Sequence, residues 1–258
     1  MPPITFGRLA ALGCTVALTC VSSCGTTPDT ENTAAPPTAA EDLYARAHYT
    51  VIWSDAAGIS LMSPDATYIR ASMESLYVAA LNGNADAAAP GFWDTLTGPA
   101  EEYARNFFRS GPGNPEYGIH RYEIHRYEFL TATHNDTDNT TTATICLYWN
   151  QTGTAAYDPD TKNEIDKKSF SSFYPSSETL TFKKGGETAP PGHQSGADTF
   201  PSTPLFGTWK TIDWKRDFRS DNPCRDRLLP GVPPGEWTTP TIADVPHEPS
   251  YPGWSNGS

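Results

Sequence analysis

The chain changes its hydrophobic period once, near Tyr117, and that change limits the folds open to it. Before it, apolar residues recur at helical spacing: Ile69, Met73, Leu76, Tyr77 and Ala80 fall on one stripe. Ser63 can cap such a helix, Pro64 suits its first position, and Asn82-Gly83 supplies a stop. A short helix or turn carrying Phe92, Trp93 and Leu96 follows. A third helix starts at Thr97-Gly98-Pro99 and ends at Ser110-Gly111-Pro112. Glu101 and Glu102 sit in its first turn, where negative charge is favoured, and Tyr103, Phe107 and Phe108 form its buried side. After Tyr117 the period is two, with strands expected at about 118–132, 140–150, 175–184 and 205–218. In "TTATICLYWN" (141–150) Ile145, Leu147 and Trp149 share the core face, and Thr144, Cys146 and Tyr148 the other. "PSSETLTFKK" (175–184) puts Leu180 and Phe182 together. "LFGTWKTIDWKRDF" (205–218) sets Trp209 opposite Ile212 and Trp214. Residues 41–62 are ambiguous: a helix that gives way to an extended stretch at "YTVIW". Helices followed by strands predict one α+β domain, N-terminal helices packed on a curved antiparallel sheet.

The chain ends do not belong to that domain. Arg8 precedes an apolar run from Leu9 to Val21, about thirteen residues, too short to span a bilayer but right for a secretory leader. No later stretch approaches the length of a membrane span. Val21-Ser22-Ser23-Cys24, followed by Gly25 and a polar tract, resembles the lipobox of bacterial lipoproteins, with Val21 where Leu is usual. The resemblance implies that 1–23 is a signal peptide and that Cys24 carries diacylglycerol at the mature N-terminus. Cys14 and Cys20 are competing sites. The protein would then stand on the extracytoplasmic face of the cell membrane, held by acyl chains at about 0.8 kcal/mol per buried methylene. The alternative is an ordinary secreted protein. Residues 24–40, rich in Thr, Ala and Pro without apolar period, read as a flexible tether. The domain is expected over 41–222. From Pro223 to Ser258 the chain is rich in Pro and Gly, so this tail is extended, partly disordered or draped on the domain; Trp237, Tyr251 and Trp254 lie on the protein's own surface or meet a partner.

Net charge is −12, and Arg8 is the only charge in the leader, so the mature chain is more acidic still. That argues against nucleic acid, which needs a basic footprint. Of the five cysteines, three remain after the leader, and with Cys24 lipidated Cys146 and Cys224 make the simplest disulfide pair. A catalytic thiol is the competing reading, and no Cys-x-x-Cys or Cys-x-x-His pair points to zinc.

"GIHRYEIHRYEFL" (118–130) repeats His-Arg-Tyr-Glu-Ile with period five. An odd offset puts His120 and His125 on opposite faces of a regular strand. Tyr122 and Ile124 likewise share one face, Tyr127 and Phe129 the other. A bulge or sharp bend near His125-Arg126 would bring all four together, and it is expected there. The repeat then reads as a bent strand, its Arg and Glu solvated or paired across strands. A functional cluster of His120, Tyr122 and Glu123 is the sharper alternative. "HNDTDNTT" (134–141) reads as a turn before it reads as a calcium site. "DPDTKNEID" (158–166) has Lys162 where a calcium loop needs oxygen and Asn163 where it needs Gly. No hydrolase elbow, zinc-protease helix, phosphate loop or dinucleotide fingerprint occurs.

The amphipathic helix ending in "ALNGNAD" (80–86), the second short helix and the Trp-bearing last strand "GTWKTIDW" resemble the nuclear transport factor 2-like superfamily over roughly 64–218. The resemblance implies a sheet wrapping a long helix into a cone. The chain departs from it by an insert at 151–174 and a long loop at 185–204, and no catalytic motif of the superfamily transfers. Three functions stay open. One is a non-catalytic, surface-anchored module binding a small apolar ligand or an envelope protein, through the sheet's open face or a pocket lined by Tyr122, Ile124, Ile145, Leu147 and Trp149, with no cofactor. Another is an isomerase- or cyclase-like enzyme using His120, Glu123 or Asp213 as acid or base. The third is a structural cell-envelope protein acting through the Pro-rich tail.

Overall fold

A computed structural model describes residues 47–110, 119–157, 164–170, 175–228 and 249–255; for 47–49, 119–124, 149–157 and 164–170 it describes the backbone alone. In chain order the elements are β1 (Ala47–Asp55), α1 (Pro64–Asn82), a 3-10 turn (Ala85–Ala87), α2 (Phe92–Thr95), α3 (Pro99–Ser110), β2 (Ile119–Asn135), β3 (Thr140–Tyr157), β4 (Glu164–Phe170), β5 (Ser176–Lys183) and β6 (Lys210–Asp217). The class is α+β, a mixed sheet with few helices. Its strands run β1-β2-β3-β5-β6, and β4 pairs with the far half of β3, beyond the stretch that β5 uses.

The helix signals act as their chemistry requires. Ser63 accepts from the Ala66 N–H, Pro64 opens α1, and Gly83 takes φ 59°, a left-handed cap that Gly adopts without a Cβ penalty. The stripe predicted one buried face. In fact every residue from Ala66 to Leu81 is buried. One side of α1 lies on the sheet, where Tyr68 packs on Phe182 at 4.9 Å and Tyr77 meets His125 at 5.1 Å. The rest is covered by segments far away in sequence: Phe200, Leu205, Phe206 and Trp254 join the same core.

The sheet departs from the antiparallel expectation at β1, which runs parallel to β2 from Ala47↔Arg121 to Asp55↔Phe129. The helices between them carry the chain back to the end where β1 began, and such a crossover makes a parallel pair. The register of β2 on β3 shifts between Ile124 and Arg126, at the expected place. The mechanism differs: the pairs Ile124↔Gln151 and Arg126↔Tyr148 put the extra residue on β3. His125, Tyr127 and Phe129 therefore keep strict alternation and all face the core. A second shift, between Phe129 and Thr131, puts an extra residue on β2. In β6 a shift opposite Thr181/Phe182 lets Thr211 and Trp214, three residues apart, both be buried. Trp209 enters the same core from before the strand, stacked on Phe182, and so is not opposite Trp214.

The sheet is open, and chain segments pair with parts of its two end strands, β1 and β6. Thr97 donates its N–H to Thr211 of β6. On β1, Trp53 donates to the Tyr251 carbonyl, Tyr251 to Val51, and Val51 to Ser250 Oγ. Covering edges blocks pairing with other chains. On the outer face, Cys146 and Cys224 form the expected disulfide and with Tyr148 make a second buried cluster.

Two measurements check this packing. Trp254 is 1% exposed; Trp254→Ala should lower the unfolding free energy by about 3–5 kcal/mol in urea titration. Reducing the disulfide, which spans 78 residues of sequence, should cost about 4 kcal/mol in the same assay.

Candidate functional site

Two buried polar centres flank α1. At the first, Arg70 and Glu74 stand one turn apart on the helix. Glu74 accepts from Trp53 Nε1 at 2.8 Å and Trp254 Nε1 at 2.6 Å. Arg70 lies over the Trp254 ring at 4.3 Å. It donates to the carbonyls of Leu61, Gln194 and Gly253. The loop before α1 and two remote segments thus converge on one guanidinium. Burial pushes the Glu74 carboxyl up to about 7; the Arg70 charge and the two indole hydrogen bonds oppose this only in part.

The second centre sits where α1, β5 and β6 meet. Tyr77 donates to Glu178 Oε1 at 2.6 Å, and Trp214 Nε1 donates to Oε2 at 2.8 Å. Arg216 donates from Nη1 to the Tyr77 hydroxyl at 2.6 Å and from Nε and Nη2 to Ser176 Oγ at 3.2 and 3.0 Å. Its Nε lies 3.6 Å from Glu178 Oε1. Burial drives the Tyr77 phenol well above its ordinary value, so it stays a neutral donor. Burial works against the Arg216 charge, but Tyr77 and Glu178 outweigh it and raise the guanidinium further.

Arg216 also reaches the outside. Its guanidinium packs at 4.3 Å on the ring of Phe218, which is 72% exposed. Beyond lies a groove of about 730 Å³ on the outer side of the sheet, lined by Thr144, Ser177, Thr179, Lys215 and Asp217 and closed by Arg219 and Pro223. The three hydroxyl residues alternate with the inward Ile145, Glu178 and Leu180, which is why they face outward. The chain leaving β6 is held over this face by the disulfide at Cys224, by Asn222 donating to the Pro175 carbonyl, and by Arg227 on Glu128. Burial pushes Glu128 up, but hydrogen bonds from Arg227 and Tyr148 outweigh it and hold the carboxyl below its ordinary value.

The residues singled out from sequence are scattered. Asp213 is on the surface with its side chain 41% exposed, 3.8 Å from Lys215 Nζ. Ile145 and Leu147 are fully buried in the packed core. His120, Tyr122, Glu123 and Ile124 lie on β2 and Trp149 on β3, with side chains outside the described residues, and Cys24 lies outside them altogether. The stretch after β2 is a hairpin turn in which Asn139 takes φ 54°. Among the described residues no group of three or more His, Cys, Asp or Glu could hold a metal ion.

Sequence reasoning passed over Arg70, Glu74, Glu178 and Arg216. One signal was readable. Glu178 shares its strand face with Leu180 and Phe182, and a carboxylate on an apolar face demands buried donors. No family model matches the chain, and no curated protein or solved structure matches it.

The folded state holds the Glu74 proton up to about pH 7, whereas the unfolded chain releases it near its ordinary 4.5. This residue's contribution to stability therefore falls as pH rises from about 4.5 to 7. The Glu74 share of the pH dependence, read by urea titration as wild type minus Glu74→Gln, should be a loss of about 2–3 kcal/mol between pH 5 and pH 8. A slope unchanged by the substitution would refute the assignment.

Proposed function

We propose that the protein is a non-catalytic binding module, lipid-anchored through Cys24 on the extracytoplasmic side of the membrane, which meets an envelope component with the outer face of its sheet. The observation that carries this reading is the fate of the buried carboxylates. Glu74, Glu128 and Glu178 each accept hydrogen bonds from two different residues inside the fold. A general acid or base must reach substrate, and these three are occupied with holding segments together. Asp213 is half-exposed and 3.8 Å from Lys215 Nζ, whereas the enzyme reading requires a buried acid or base.

Between α1 and the sheet the described space is filled by rings. Trp53 stacks on Tyr127 at 4.5 Å and on Phe129 at 5.0 Å, and Tyr103 stacks on Trp214 at 5.7 Å. This favours the outer face over an interior site for a small apolar ligand. The cone-like wrapping of the nuclear transport factor 2-like superfamily belongs to the same proposal, supported by the helix buried on all sides and by the register shifts that bend β2 and β3.

Native mass spectrometry of the protein extracted from its own membrane tests the reading. The expected mass begins at Cys24, carries diacylglycerol and lacks two hydrogens for the disulfide. A mass that includes Met1 would overturn the anchor, and a small apolar molecule retained by the folded chain would overturn the outer-face assignment.

A further inference from the structure

Resting on the outer face as the binding surface, we infer that the groove beside Phe218 is a saccharide-binding site. A sugar ring has an apolar C–H face and a rim of hydroxyls, each both donor and acceptor. Its receptor therefore needs a flat apolar platform beside fixed polar groups of both kinds. Phe218 supplies the platform: 72% of it is exposed, yet its position is set by the Arg216 guanidinium at 4.3 Å. Arg216 is itself immobilised by Tyr77 and Ser176. The ring thus rests on an anchored guanidinium, and support of this kind lowers the ordering cost of binding.

The polar complement lines the same groove. Thr144, Ser177 and Thr179 offer hydroxyls that donate or accept, and Lys215 donates. Asp217 accepts only, and hydrogen bonds from Arg219 pull its carboxyl down to about 2. Arg219 locks that carboxylate at 2.7 Å from Nη2. Pro223 forms a wall fixed by the neighbouring Cys224 disulfide. A purely apolar ligand would leave the hydroxyls and charges unpaired on desolvation. The charges around the groove are paired, Arg219 with Asp217, Arg216 with Glu178 and Lys215 with Asp213, so the site offers no unbalanced charge to an ionic ligand. A neutral, polyhydroxylated ring matches both the platform and the mixed wall.

The test uses the purified, disulfide-bonded mature chain with chitotetraose, cellotetraose and mannotetraose as probes, followed by amide chemical shifts and calorimetry. The expected result is saturable binding of at least one probe, with shifts at Thr144, Ser177, Thr179 and Phe218. Phe218→Ala should weaken it about tenfold while the melting temperature stays unchanged, since the ring is exposed. Phe218→Trp should retain binding. Thr179→Val is the second variant, and it should weaken binding through the wall alone. No binding of any probe, or binding insensitive to both Phe218→Ala and Thr179→Val, overturns the saccharide assignment. A protein cross-linked at Phe218 in the native membrane would then leave the outer-face reading standing with a different ligand. Shifts confined to core residues such as Tyr127 and Phe129 would overturn both.

Discussion

The whole fold depends on burying α1 on every side. A helix covered all round needs a second layer as well as a sheet, and its polar side chains must then find partners without water. Ser72 bonds back to the Tyr68 carbonyl, and Ser75 Oγ accepts the Ala89 N–H that precedes α2. Arg70 and Glu74 impose the harder condition, because an uncompensated buried charge costs several kcal/mol. They meet it with the preceding loop and with distant chain: the Leu61 carbonyl and those of Gln194 and Gly253 on the arginine, indoles of Trp53 and Trp254 on the carboxylate. The charges select what lies on the helix, since a purely apolar cover could not satisfy them.

The same economy explains the edges and the outer face. The segment that brings Trp254 to Glu74 also delivers Ser250 and Tyr251 to the free edge of β1. At the other end of the sheet, Arg216 ties Tyr77 on α1 to Ser176 on β5 and leaves one flat side under Phe218. An interior need and a surface platform are met by one guanidinium, whose planar fork can donate along its edge and stack on its face. The disulfide ties the chain after β6 to the outer face, next to Pro223 at the groove.

Much of the fold was legible where the signal is local. Ser63, Pro64 and Gly83 bound α1 because caps act within one turn. Alternation in 143–148 sent Ile145 inward and Cys146 outward, and so toward Cys224. The irregularity at His125 was visible as a parity conflict, but parity in one strand does not say which partner carries the extra residue; here it is β3. In sequence β4 reads as part of an insert, because its pairing depends on β3 running 18 residues and offering one edge to two partners in turn. Of the candidate site, Phe218 and Asp217 look like ordinary strand-end residues in sequence, and only the arrangement around Arg216 joins them.

Alone, the sequence determined where α1 begins and ends, that long strands follow the helices after Tyr117, which faces of β3 and β5 are apolar, and which two cysteines make the simplest pair. These depend on spacing within a turn or a pleat, and on a short list of sulfurs. Tertiary structure decided the parallel pairing of β1, the docking of Trp254, and the partners of Glu74, Glu178 and Arg216. The Glu74–Trp254 contact joins residues 180 positions apart. Their geometry is settled by how packed layers bring remote segments together, and no local pattern encodes that distance.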